Sequence, residues 1–231
     1  MATGKIHPDN DPIDGEGTVL GDYWYCQCLS PDCNLRFPAP GTSTESCPVC
    51  RSKAEKRIQI PTSVLPENNK TGTATPISVL MDNLRSVYNV GSILRTADGA
   101  GFSHAYLCGI TPTPDHPRLA KTSLTAELHT MWSFHRNGVD LVQQLKNRGT
   151  HIISLETNKS AVNIFKSTTP IMEETVLVVG NEICGIDPAI LDLSDQILYL
   201  PMGGIKKSLN VAVSFGIAAY SLIHRNPLKS G

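Results

Sequence analysis

Two groups of residues have types and spacings that could do chemistry. Five of the chain's seven cysteines fall close together, at Cys26, Cys28, Cys33, Cys47 and Cys50. Cys47-Pro48-Val49-Cys50 is a C-x-x-C turn whose two thiolates can reach one ion, and Cys28 with Cys33 makes a looser knuckle upstream. Two such pairs on short turns suit a tetrahedral Zn²⁺ site of zinc-ribbon type. A segment of about 40 residues is too small to hold itself together by core burial alone, so a metal has structural work to do. Disulfides do not suit the reducing cytosol, and no βαβ pattern surrounds the motif as a redox C-x-x-C would require. The expected ligands are Cys28, Cys33, Cys47 and Cys50, with Cys26 either spare or in the place of Cys28. Cys108 and Cys184 read as small buried residues.

The second group lies in loops that follow short apolar runs. Residues 152–155, 176–179 and 197–200 are aliphatic or β-branched and stopped by turn residues, which predicts strands. They lead into Leu155-Glu156-Thr157, into Gly180-Asn181-Glu182 with Gly185-Ile186, and into Leu200-Pro201-Met202 with Ser208-Leu209-Asn210. Loops at the ends of parallel strands are where an α/β sheet holds a cofactor, and glycines there allow close backbone approach.

The elements that must position these residues follow from periodicity and turn signals. Strands are expected at 77–81, 105–108, 131–134, 152–155, 176–179 and 197–200, and helices at 90–100, 119–128, 139–148 and 209–223. Strands alternating with helices indicate a parallel α/β sheet covered on both faces. Residues 111–117 hold three prolines and read as a loop. The helix at 209–223, with Ser208 or Asn210 as its cap, is apolar on nearly all sides. It must therefore be covered widely, by its own domain or by a second subunit as well.

Ahead of this domain, residues 1–22 read as a flexible lead-in, 23–58 as the zinc-ribbon-like module and 59–75 as a linker; the main domain occupies 76–231. Within the module, Tyr23, Trp24, Tyr25, Arg36 and Phe37 precede a basic run, Arg51, Lys53, Lys56 and Arg57 against one Glu55. Aromatics beside basic residues suit looped RNA, although the aromatics read equally as the small module's core. The net charge of −1 supplies no global pull on nucleic acid, so RNA contact must be local. No signal segment opens the chain and no apolar run reaches spanning length, so no membrane contact and a cytoplasmic protein are expected.

Three stretches together resemble the motifs of the SpoU (TrmH-type) RNA methyltransferases of the SPOUT superfamily. They are Asn89 to Ala97, Gly180-Asn181-Glu182-x-x-Gly185-Ile186, and Leu200-Pro201-Met202-x-Gly204-x-x-x-Ser208-Leu209-Asn210-Val211. The resemblance covers roughly residues 76–225. It implies a C-terminal deep trefoil knot, a homodimer with its site at the interface, and S-adenosylmethionine held by the three strand-end loops. It also implies Arg95 as the catalytic residue, acting on the ribose 2′-hydroxyl of a nucleotide in structured transfer or ribosomal RNA. Asn89 and Ser208 would orient Arg95 and the nucleotide, while Glu182 and Asn210 would shape the cofactor pocket. Arg85, Lys121 and the Lys206-Lys207 pair are weaker candidates for phosphate contacts. Thr125 departs from the glycine that the family often has in that stretch. Guanidinium stays protonated in nearly any protein setting, so Arg95 is better suited to binding the target phosphate and stabilising the alkoxide than to removing a proton. The alternative is an RNA-binding adaptor that keeps the fold without transferring a methyl group.

Overall fold

The computed structural model describes residues 23–42, 46–59, 75–116, 119, 130–168 and 174–225. The lead-in at 1–22, residues 60–74 of the linker expected over 59–75, and the helix expected over 119–128, with Lys121 and Thr125, lie outside the described residues apart from Leu119; Gln59 and Thr75 belong to strands. The chain divides into two compact units, residues 1–71 and 72–231.

The first unit is a three-stranded antiparallel sheet, with β1 (Tyr23–Cys28) between β2 (Arg36–Pro40) and β3 (Ala54–Gln59). Among the described residues its buried side chains are Cys26, Cys28, Ala39, Cys47 and Ala54, a set far too small to be a hydrophobic core. Asn34 and Arg51, each directly after a knuckle cysteine, adopt left-handed backbone with φ of 46° and 64°. Asn tolerates that conformation, whereas Arg51 is strained by it. The aromatics divide between the two readings: Trp24 is half-buried, while Tyr25 remains exposed, and each carries a cation over its ring, Lys56 and Arg36 respectively.

The second unit is a seven-stranded sheet in the order β6-β5-β4-β9-β7-β10-β8, and every pairing is parallel. Its strands are β4 (Thr75–Asp82), β5 (Phe102–Cys108), β6 (Met131–His135), β7 (His151–Leu155), β8 (Val162–Asn163), β9 (Thr175–Gly180) and β10 (Gln196–Tyr199). Among the described residues four α-helices accompany them: α1 (Val87–Gly99), α2 (Gly138–Asn147), α3 (Pro188–Leu193) and α4 (Val211–Arg225). All six residues of β9 are buried, as a central parallel strand covered on both faces demands. One face carries the core shared by α1 and α4, with Ile93, Leu94, Phe215 and Leu222. The other packs Leu141, Val142 and Leu145 of α2 and Ile190 of α3.

Most expected elements are present, with ends moved by caps. The first helix begins at Val87 rather than 90 because Ser86 accepts from the Asn89 N–H and caps it. The last begins at Val211 rather than 209 because Asn210 accepts from the Ala212 and Val213 N–H groups. Asp187-Pro188 opens α3, a cap followed by proline that sequence reading passed over. The two-residue strand β8 is too short to leave a periodic signal.

The helix α1 packs on α4, where Gly216 leaves room for the Thr96 methyl at 3.7 Å from a notional Cβ and Phe215 meets Phe102 edge-on at 5.4 Å. This covers only part of α4. Val213, Ile217 and Tyr220 are 52%, 37% and 44% exposed, and their helical spacing makes a continuous apolar stripe.

Candidate active site and metal centre

β4, β5 and β6 wind outward in one direction, whereas β7 starts on the far side of β9. The carboxyl ends of the strands on either side of such a reversal are the place for a ligand crevice. A cavity of about 320 Å³ lies there, over the ends of β7, β9 and β10. It is walled by Leu155, Glu156, Thr157, Gly180, Asn181, Glu182, Gly185, Leu200, Met202, Ser208, Leu209 and Asn210. Its volume falls at the small end of the ligand-pocket range. Two expected wall residues do not reach it. Ile186 turns its side chain into the α2–α3 core, and Pro201 points to solvent. Val179, Ile183, Tyr199, Lys207, Val211 and Ser214 complete the lining.

The loop after β9 is shaped by its own residues. Asn181 Oδ1 accepts from the Ile183 and Cys184 N–H groups, and the Asn181 and Gly185 backbones bond reciprocally at 3.0 and 2.9 Å. Gly185 has φ of 75°, and a Cβ there would strike the Glu156 carboxylate. A Cβ on Gly180 would collide with the backbone of Gly185 and Ile186. Glu156 ties two loops together, accepting from the Ile186 N–H at 3.2 Å and the Thr157 N–H at 2.8 Å. Cys184 is exposed, against expectation, because this tight turn holds its side chain outward.

Glu182 faces the start of α1 as well as the cavity. Its carboxylate accepts from the Arg85 and Ser86 N–H groups at 3.0 and 3.1 Å and from Asn89 Nδ2 at 2.8 Å. Partial burial works to raise its pKa, but the hydrogen bonds from Asn89, Arg85 and Ser86 win and hold it below the ordinary carboxylate range. Asn89 also accepts from Asn210 Nδ2 at 3.0 Å. Asn89, expected to orient Arg95 and the nucleotide, and Glu182 and Asn210, expected to shape the cofactor pocket, therefore form one continuous contact. Nothing local in the sequence signals it, because the Asn89 partners are 93 and 121 residues away.

Arg95 lies about one and two-thirds turns beyond Asn89 along α1. Its side chain is exposed and has no hydrogen-bond or ion-pair partner among the described residues, and it does not line the cavity. Within one chain the structure thus sets Glu182, Ser208 and Asn210 in the cavity wall, ties Asn89 to Glu182 and Asn210 without bringing it into the lining, and leaves Arg95 outside.

In the first unit the ligand atoms of Cys28, Cys33, Cys47 and Cys50 all lie within 4.8 Å of one another. Cys28 and Cys50 Sγ are 3.4 Å apart, and Cys33 and Cys47 Sγ 3.8 Å. Four thiolates around one Zn²⁺ at bonds of ~2.3 Å would sit roughly 3.8 Å apart, so the donor set fits. Cys26 stands outside it, its thiol directed at the Trp24 carbonyl. Burial pushes the Cys28 thiol up to about 12, while hydrogen bonds from the side chain and backbone of Ser52 bring Cys50 down to about 6.

A wholly parallel sheet, a cavity over its carboxyl ends and a C-terminal helix returning beside that cavity define an α/β domain of the SPOUT methyltransferase class. The profile of the SpoU rRNA methylase family matches residues 76–220, and the chain belongs to that family. It is 32% identical over 171 residues to the tRNA (guanosine(18)-2′-O)-methyltransferase of Aquifex aeolicus, covering 72% of this chain and 75% of the relative. It is also 32% identical over 197 residues to the 23S rRNA (guanosine(2553)-2′-O)-methyltransferase RlmP of Bacillus subtilis, covering 85% of this chain and 72% of the relative. The crystal structure of the A. aeolicus TrmH/SpoU tRNA modifying enzyme superposes with a TM-score of 0.57 at 28% identity, over 65% of this chain and 75% of that one. An AdoMet-bound rRNA methyltransferase from Sinorhizobium meliloti shares the fold, with a TM-score of 0.61 at 24% identity over 67% of this chain and 57% of that one.

Proposed function

We propose that this protein transfers a methyl group from S-adenosylmethionine to a ribose 2′-hydroxyl in structured RNA. The observation that carries the reading is the contact of Asn89 with both Glu182 and Asn210, which draws the three motifs to the rim of one cavity. Relatives named for 2′-O-methylation of transfer and of ribosomal RNA support the reaction and leave both RNA classes open.

Bound S-adenosylmethionine supplies an electrophilic methyl on a sulfonium. The chain's task is to hold the acceptor oxygen in line with it and to stabilise the charge that develops on that oxygen. Backbone groups of 155–157, 180–186 and 200–210 would hold the cofactor, in a pocket that the family's trefoil knot would close. Arg95 would bind the target phosphate and stabilise the emerging alkoxide, with Asn89 and Ser208 orienting it and the nucleotide.

Because Arg95 lies outside the cavity of its own chain, we assign it to the cavity of a second copy, in a homodimer formed through the exposed stripe of Val213, Ile217 and Tyr220. A C2 interface would present each Arg95 to the opposite pocket. In the first unit, Cys28, Cys33, Cys47 and Cys50 would hold a structural Zn²⁺, in keeping with the reducing cytoplasm. Among the described residues no helix is long and apolar enough to cross a membrane.

Calorimetry with S-adenosylmethionine, followed by tritium transfer to bulk RNA, tests the reading. Cofactor binding with no label in RNA would instead favour the adaptor, and a nuclease-resistant labelled product would point to a substrate other than RNA.

A further inference from the structure

A second hollow opens on the same carboxyl edge of the sheet, over β5 and β6. It is open to solvent, encloses about 740 Å³, and is lined by Ile110, Pro112, Trp132 and Phe134, with Asp115 and His116 among its polar members. Ile110, in the loop after β5, and Phe134, on the edge strand β6, are 66% and 43% exposed, a costly display of apolar surface unless something covers it.

The hollow is joined to the candidate active site by one short segment, residues 83–85. Asn83 takes left-handed backbone with φ of 56°. Its Oδ1 accepts from the Ile110 N–H at 3.2 Å, on the side of the hollow, and its carbonyl accepts from Asn181 Nδ2 at 2.7 Å, on the side of the active site. Thr111 reinforces the wall by accepting from the Leu84 N–H at 3.0 Å. Two residues past Asn83, the Arg85 N–H is held by Glu182, and the Arg85 side chain is exposed.

We propose that this hollow receives an unstacked base of the same RNA, close along the strand to the nucleotide being methylated. The inference rests on the function proposed above. Flat aromatic faces beside proline and isoleucine suit a nucleobase, since sequence-specific RNA recognition works on splayed bases that stack on aromatic side chains. The Asp115 carboxylate repels phosphate and accepts hydrogen bonds from a base edge, so the base enters and the backbone stays outside. Arg85, on the dividing wall, is the cation placed to meet the intervening phosphate. Among the described lining residues, Asp115 is the one carboxylate, of the wrong sign for the RNA backbone and of the right kind for a base.

The test uses the full-length protein with unfractionated transfer RNA and ribosomal RNA as separate probes. Phe134→Ala should raise the KM for the methylated RNA about tenfold, the size of one lost base–aromatic stack, and Ile110→Ser, which loses apolar contact but no stack, should raise it less. The kcat and the affinity for S-adenosylmethionine should stay within about twofold of wild type, which also shows that both variants fold. Phe134→Trp should retain the wild-type KM, whereas Phe134→Leu, apolar but without a π-face, should behave like Phe134→Ala. A wild-type KM in Phe134→Ala, or in Phe134→Leu, overturns the proposal. If the wild-type protein methylates neither RNA, the proposed reaction fails first. Filter binding of the same RNAs to the same variants then still decides the hollow, because an affinity unchanged by Phe134→Ala overturns it and a tenfold loss supports it.

Discussion

Asn89 accepts a hydrogen bond from Asn210 at 3.0 Å and donates one to Glu182 at 2.8 Å, so a single amide fastens the start of α1 to the loop after β9 and to the cap of α4. An amide is well suited to this place, because it offers a donor to the carboxylate and an acceptor to the other amide at once. Asn89→Ala should lower methyl transfer by about tenfold to a hundredfold, in line with the roughly 1–3 kcal/mol lost when hydrogen-bonded partners are stranded. Asn89→Asp should be worse, since it sets a carboxylate against Glu182. Adding Glu182→Gln should recover part of the loss, and a double-mutant cycle in kcat/KM measures that coupling.

Much of this arrangement was legible in the sequence, and the missing part has a physical reason. The buried strand β9 reads plainly because six apolar or small residues in a row need cover on both faces. The glycines at 180 and 185 read as loop features, but only the fold shows that one is needed for close backbone approach and the other for positive φ beside Glu156. Glu182 was expected to shape the cofactor pocket, and its hold on the 85–89 segment depends on partners that sequence proximity does not reveal. His104 and His135 are 31 positions apart with no spacing that links them, yet the β5–β6 register brings them to either side of Ser133 Oγ, at 2.8 and 2.9 Å. Periodicity reports which way a side chain faces and says nothing of which strand lies next to it.

Arg95→Ala should abolish methyl transfer and leave S-adenosylmethionine affinity nearly intact, because its proposed partners are the target phosphate and the emerging alkoxide rather than the cofactor. Arg95→Lys should also fail for the most part, since a point charge does not replace a planar fork. If Arg95 acts across a dimer interface, mixing Arg95→Ala subunits with subunits disabled in the cavity should restore activity. Random exchange gives half heterodimers with one intact site each, or about a quarter of wild-type rate for a symmetric dimer. Wild-type rates in Arg95→Ala would remove this residue from the mechanism.

The first unit should carry one zinc ion and depend on it. Cys47→Ser should release the metal and melt the β1–β3 sheet, while Cys26→Ser should leave zinc content unchanged, because Cys26 stands outside the cluster. Strong chelators should have the effect of Cys47→Ser, with a folding free energy on the order of 10 kcal/mol at stake for structural zinc. Metal analysis and the circular dichroism of the isolated variants check both. Zinc retained in Cys47→Ser would contradict the site.

Glu182 makes the second unit acid-sensitive in a defined direction. Its pKa is lower folded than unfolded, where the ordinary value is 4.5, because hydrogen bonds to Asn89, Arg85 and Ser86 outweigh partial burial. The folded state therefore binds fewer protons, so the stability from this group is complete above 4.5 and is lost as pH falls through the lower folded value. Melting temperatures from about pH 6 to about pH 3 should fall less steeply in Glu182→Gln than in wild type. Asp195 is also lowered, with burial outweighed by the Ile152 N–H and Lys146, but it is present in both proteins and cancels in the comparison. Parallel curves would mean that the Glu182 contacts do not persist in solution.

Gly185→Ala probes the cavity floor without touching any group proposed to do chemistry. A side chain at φ of 75° is strained by about 1–2 kcal/mol, and its Cβ would run into the Glu156 carboxylate. The contact can be relieved only by swinging Glu156 away, which gives up its bonds to Ile186 and Thr157 and loosens the loop after β9 from the end of β7. Both loops wall the cavity, so affinity for S-adenosylmethionine should fall by about tenfold or more, with the unit still folded. Glu156→Gln, which keeps one acceptor, should cost less than Gly185→Ala. Calorimetric titration of the two variants ranks them, and equal wild-type affinity in both would mean that the cofactor does not sit between these loops.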